Sequence, residues 1–77
     1  MELVKKYSIN ILRNKLLGKK VHFTSDCQLF PNFNVTGKVI EINLSGSIPL
    51  IKTILNSGKI MNIDGGMSNL SFELINT

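Results

Sequence analysis

His22 and Cys27 are the residue types that can form a nucleophile–base pair. They lie five positions apart, with no thiol-enzyme signature around them. The plainer reading makes His22 an outward strand residue and Cys27 a loop thiol. One histidine and one cysteine are too few for a Cys/His zinc centre. The carboxylates Glu2, Asp26, Glu41, Asp64 and Glu73 are spread over separate segments, so none pairs with another for acid–base work. The sequence therefore predicts a protein that is not an enzyme and uses no metal or cofactor.

The segment Asp64-Gly65-Gly66-Met67-Ser68-Asn69 has a different chemistry. Consecutive glycines expose backbone amides, and such amides can form a nest for an anion. Ser68 and Asn69 add a hydroxyl and a carboxamide. The segment lacks the Gly-Lys-Ser/Thr ending of a P-loop. The same residues also suit a hairpin turn in which glycine supplies a positive φ. Ser45-Gly46-Ser47 is a second glycine-and-hydroxyl loop. If the two loops share one end of the molecule, Ser45, Ser47, Asn62, Asp64, Gly65, Gly66, Ser68 and Asn69 make a polar site for a small anion. Met61, Met67 and Phe72 would be its apolar walls.

A third constellation is electrostatic. The formal net charge is +4. Residues 1–20 hold six basic residues, Lys5, Lys6, Arg13, Lys15, Lys19 and Lys20, against Glu2, which is +5. Residues 21–77 hold Lys38, Lys52 and Lys59 against Asp26, Glu41, Asp64 and Glu73, which is −1. The basic N-terminal segment can contact phosphates, or it can be a solvated helix face. Stacking platforms for nucleic acid are scarce, because the aromatics are limited to Tyr7, Phe23, Phe30, Phe33 and Phe72.

These residues need a scaffold. A chain of 77 residues is at most one domain and buries only a small core. With no disulfide and no metal, association with further copies is the remaining support, so the sequence predicts a homo-oligomer. No apolar run approaches a membrane span and the N-terminus carries no signal-peptide core, which predicts a cytoplasmic protein without a membrane partner. Leu3, Val4, Tyr7, Ile11, Leu12 and Leu16 recur at helical spacing and predict a helix over 1–18, stopped at Gly18. Ser8 alternatively caps a shorter helix from Ile9 to Leu17.

Residues 19–77 read as five strands. The first is Lys19–Thr24, with Val21 and Phe23 inward. A loop from Ser25 to Asn34 carries Leu29, Phe30 and Phe33, which fold over one mouth of the barrel or contact a partner. The second strand, Val35–Leu44, has Ile40, Ile42 and Leu44 on one face and Val39 and Glu41 on the other, with Gly37 marking a bulge or bend. Ser45 to Pro49 is a loop. Three apolar runs separated by glycine turns, within 50–75, predict an antiparallel meander.

A helix followed by five short strands resembles the SH3-like barrels, and among them the Sm-like arrangement. The resemblance is one of layout. It is carried by Leu16-Leu-Gly-Lys-Lys-Val21 leading into the first strand, Thr36-Gly-Lys-Val-Ile-Glu-Ile42 as a bent second strand, and Met61-Asn-Ile-Asp64 in the penultimate one. It implies a mainly β fold, a small five-stranded antiparallel barrel with an N-terminal helix. The family's RNA-contacting loop pattern is replaced here by Ser45-Gly-Ser47, so RNA binding does not carry over by residue.

Three functions follow. The first is non-catalytic capture of a small phosphate-containing ligand, such as a nucleotide or cyclic nucleotide. In being small and without catalytic motifs, the chain is similar to phage-encoded sponges that sequester immune signals. The second is an RNA- or DNA-binding barrel using the basic residues. The third is a protein inhibitor or adaptor using Leu29, Phe30 and Phe33. Because the strand region sums to −1, charge placement favours the first.

Overall fold

A computed structural model describes residues 2–26 and 32–75. Its first regular element is a two-residue strand, β1 (Glu2–Leu3), followed by a 3-10 turn at Val4–Lys6 and then the helix α1 (Ile9–Leu16). The expected helix over 1–18 is thus shorter, and the Ser8-capped alternative is close to the observed element. Ser8 is extended, and its Oγ accepts from the Ile11 amide at 3.4 Å. Leu12 and Leu16 are buried. Gly18, at φ 76°, turns the chain out of the helix, and its amide donates to the Val39 carbonyl at 2.8 Å.

The strands that follow are β2 (Lys20–Ser25), β3 (Phe33–Ser45), β4 (Ile48–Leu55), β5 (Ile60–Asp64) and β6 (Ser71–Leu74). They form one six-stranded antiparallel sheet in the order β1-β6-β2-β3-β4-β5. Two expectations are corrected here. There are six strands because the N-terminus adds β1, with Glu2 opposite Phe72 and Leu3 opposite Ser71. The sheet is not closed, since β1 and β5 stand at its two edges.

The predicted meander of 50–75 is also only partly present. β4 and β5 form a hairpin, with Ile51 opposite Ile63. β6 instead crosses to β2, placing Phe72 opposite Phe23 and Leu74 opposite Val21. The segment between β5 and β6 is therefore a crossover and not a hairpin turn.

β3 is longer than the predicted strand and its alternation breaks. The register with β4 slips between Val39 and Glu41, leaving Ile40 as the extra residue of a bulge. Val39 and Ile42 are consequently both buried, while Ile40 and Leu44 face solvent. Strict alternation would have put Val39 and Ile42 on opposite faces. At Gly37 the strands approach so closely that a Cβ would sit 2.4 Å from the Ile54 carbonyl oxygen. This close approach explains the glycine.

The core joins Val4, Leu12, Leu16, Val21, Phe23, Val39, Ile42, Ile51, Ile63, Leu70 and Phe72. Phe33 packs against it from β3, so it is not a loop residue as expected. Cys27, Leu29 and Phe30 lie outside the described residues, and with them most of the predicted partner contact. No helix among the described residues is long and apolar enough to cross a membrane.

Candidate functional site

The two glycine loops do meet. Gly46 and Ser47 form a two-residue turn, since Ser45 still belongs to β3 and Ile48 and Pro49 to β4. The Gly65 amide donates to the Pro49 carbonyl at 2.8 Å. A Cβ on Gly65 would lie 2.5 Å from Pro49 Cγ, so contact with the neighbouring strand, not a positive φ, calls for glycine there. The positive φ of this segment belongs to Asn69, at 53°.

An open cleft of about 390 Å³ lies at this junction, lined by Val4, Lys5, Tyr7, Ser47, Ile48, Pro49, Gly65 and Gly66. Of the predicted ligand set it gathers Ser47, Gly65 and Gly66. Asn62 faces out of β5 opposite Lys52, and Ser45 is exposed at the end of β3. Ser68 and Asn69 turn towards β2 instead. The Ser68 carbonyl accepts from Ser25 Oγ at 2.7 Å, and Asn69 Nδ2 donates to Asp26 Oδ1 at 3.0 Å and Oδ2 at 3.2 Å.

The two glycine amides expected to form an anion nest have partners within the fold. Three consecutive amides are engaged: Gly65 to Pro49, Gly66 to Asp64 Oδ1 at 2.7 Å, and Met67 to the Asp64 carbonyl at 3.1 Å. A nest works only when its N–H groups point unengaged at the ligand. The cleft also carries nearby negative charge. The Asp64 carboxylate holds Gly66, and the Glu2 carboxylate accepts from the Tyr7 hydroxyl. That bond raises the pKa of Tyr7 above 10.0, with burial and the Glu2 charge adding to it.

The basic residues do not form one helical stripe, because Lys5 and Lys6 precede α1 and Lys19 and Lys20 follow it. Arg13 is held structurally, its Nε donating to the Ile42 carbonyl at 2.9 Å. Lys15 lies over the Tyr7 ring, 5.1 Å from the centroid. Lys5 enters the first cleft.

Lys20 has a partner that the sequence did not mark. It stands directly opposite Lys38 across the β2–β3 ladder. Two like charges at this spacing repel and destabilise the pair. Both line a second cleft of about 440 Å³, with Gly18, Ile54, Leu55 and Asn56. Its described lining contains no acidic residue. The nearest carboxylates on this face stand outside the described lining: Glu41 lies 4.0 Å from Lys52, and Glu73 is opposite His22. Neither Lys20 nor Lys38 is in an ion pair among the described residues.

The walls of this cleft are firmly tied. Val39 N donates to the Lys19 carbonyl at 3.1 Å, anchoring the helix exit to β3. Leu55 N donates to the Lys59 carbonyl at 2.8 Å, closing the turn that presents Asn56. The missed residue, Lys38, had no signal in spacing, because it meets Lys20 only through the register of two strands joined by a long connection.

His22 Nε2 lies 2.5 Å from Asn34 Oδ1, on the same outer face. Among the described residues, no three His, Cys, Asp or Glu side chains gather where they could hold a metal ion. No family model, curated protein or solved structure matches the chain.

Proposed function

We propose that this protein is a non-catalytic binder of a small phosphate-containing ligand, such as a nucleotide or cyclic nucleotide, with the phosphate held between Lys20 and Lys38. One observation carries this reading: two lysines face each other across a ladder, with no carboxylate among the described residues that line their cleft. A bound anion offsets the repulsion between the two ammonium groups. Binding without transformation is the action of a sequestering protein, as in the phage-encoded sponges. The fold is read here as an SH3-like barrel of the Sm-like arrangement left open at one seam. The helix packed on a bent β3 and the return of β6 to β2 support that assignment.

Polymeric nucleic acid is the second reading. Lys5 sits beside Pro49 at one end of β4, and Lys20 and Lys38 beside Ile54 at the other. Five residues of strand separate the two groups by roughly 17 Å. A small ligand reaches one group, whereas a single strand of RNA or DNA can engage both.

The test is an amide chemical-shift titration with adenosine diphosphate, a cyclic dinucleotide and a single-stranded oligonucleotide. The small-ligand reading predicts shifts at Lys20, Lys38 and Asn56 with the nucleotides, and none at Lys5. Shifts confined to the oligonucleotide, spanning Lys5 as well as Lys20, would replace it with the polymer reading. No shift at Lys20 or Lys38 with any of the three would overturn both.

A further inference from the structure

The cation pair continues into an apolar one. Lys38 stands opposite Ile54, and Ile54 opposite Ile60, so Lys20, Lys38, Ile54 and Ile60 form one straight row across four strands. Directly paired residues point to the same face of a sheet, and here it is the outer face, because their chain neighbours Val21 and Gly37 are buried. Ile60 is 56% exposed, which is high for an isoleucine in a strand. Leu55 and Asn56 border the same end of the row.

From this row we infer that the ligand is an organic phosphate whose apolar part lies on Ile54 and Ile60 while its phosphate lies between Lys20 and Lys38. This rests on the phosphate-binding reading above and adds the chemistry of the ligand's other half. Strands are spaced about 4.8 Å apart, so the centre of the lysine pair and the centre of the isoleucine pair are roughly 10 Å apart. That separation suits a compact phosphate monoester, with the charge at one end and a nucleobase or short alkyl chain at the other. Inorganic phosphate would fill only the cationic half. A long polyanion would place charge over the two isoleucine side chains themselves. Asn56, beside the apolar half, offers both a donor and an acceptor to the polar edge of a base.

Two sources share this chemistry, a nucleotide and a lipid-derived phosphate, and the probes separate them. Isothermal titration compares inorganic phosphate, adenosine monophosphate and hexyl phosphate on the wild type and on Ile60→Ser. At least one organic phosphate binds tenfold or more tightly than inorganic phosphate, and Ile60→Ser removes that advantage while leaving inorganic phosphate unchanged. Preference for adenosine monophosphate assigns a base to the apolar half, and preference for hexyl phosphate assigns an alkyl chain. If inorganic phosphate binds as tightly as both organic probes, the apolar half is refuted while the phosphate reading survives. If none of the three binds, both fall. Because Ile60 is exposed, the serine variant is expected to fold, and an unchanged melting temperature confirms it.

Discussion

The Asp64–Asn69 segment and the Lys20–Lys38 pair are both polar and both line or border a cleft, yet folding uses them differently. In the first region the polar groups are engaged. Gly65 bonds to Pro49, Gly66 to Asp64, Asn69 to Asp26, and the Ser68 carbonyl to Ser25. In the second, the two ammonium groups have no acidic partner among the described residues of their cleft and repel each other. Folding is served by the first arrangement and opposed by the second. Groups that the fold holds at a disadvantage are better markers of a binding site than groups that complete its hydrogen bonds.

That contrast is testable in both halves. The largest effect is expected from reversing both lysines together. Lys20→Glu with Lys38→Glu preserves the repulsion and so leaves stability near the wild type, but it removes two charge-assisted bonds to phosphate. Adenosine diphosphate affinity, read by calorimetry, should fall by about a hundredfold or more. Retained affinity would separate the lysines from the site.

Next comes Gly65→Ala. The new methyl must displace Pro49, whose Cγ would lie 2.5 Å away. Overpacking of this kind costs about 1–3 kcal/mol, measurable as a lower urea midpoint. Ligand affinity of the folded protein should not change. A loss of affinity without a loss of stability would return the site to the glycine segment.

Asp64→Ala is milder. It leaves the Gly66 amide without its carboxylate acceptor, and because the position is exposed, water can replace it. The expected loss of stability is about 0.5–1.5 kcal/mol, again without effect on binding.

The smallest effect is alkaline. Tyr7 ionises above its ordinary value of 10.0 because its hydroxyl donates to Glu2. A raised folded-state pKa means that this contribution is fully present below pH 10 and is lost as pH rises through the raised value. The tether between Glu2 and Tyr7 should therefore weaken only at strongly alkaline pH. Proton-exchange protection of Val4 N, which bonds to the Leu70 carbonyl at 2.9 Å, reports it. Weakening already at neutral pH would contradict the assignment.

Much of the fold was legible locally. The Ser8 cap, the Gly18 stop and the apolar content of each strand depend on neighbours a few positions apart. What was not legible depends on distant ones. Ile40 becomes a bulge only because β4 pairs with both sides of it, and that slip puts Val39 and Ile42 in one core. β6 pairs with β2 and not with β5, a choice between two ladders that its short apolar run cannot express. β1 is two residues long and has no pattern of its own.

The candidate site divides in the same way. Gly65 and Gly66 stand out in the sequence as a dipeptide, and in the fold their amides are engaged by Pro49 and Asp64. Lys20 stands in the basic N-terminal segment, whereas Lys38 is distinguished only by standing opposite it. Serine, asparagine and glycine mark turns as readily as sites. Two lysines in a ladder are harder to explain by folding.

Lys38 opposes stability and serves binding, and the single substitution Lys38→Glu tests both roles together. Urea unfolding and adenosine diphosphate titration are measured on the same preparation. An opposite charge facing Lys20 replaces a repulsion with an attraction, so stability should equal or exceed the wild type by up to about 1 kcal/mol, while nucleotide affinity falls at least tenfold. A variant that is less stable than the wild type and binds nucleotide equally well would deny Lys38 both roles.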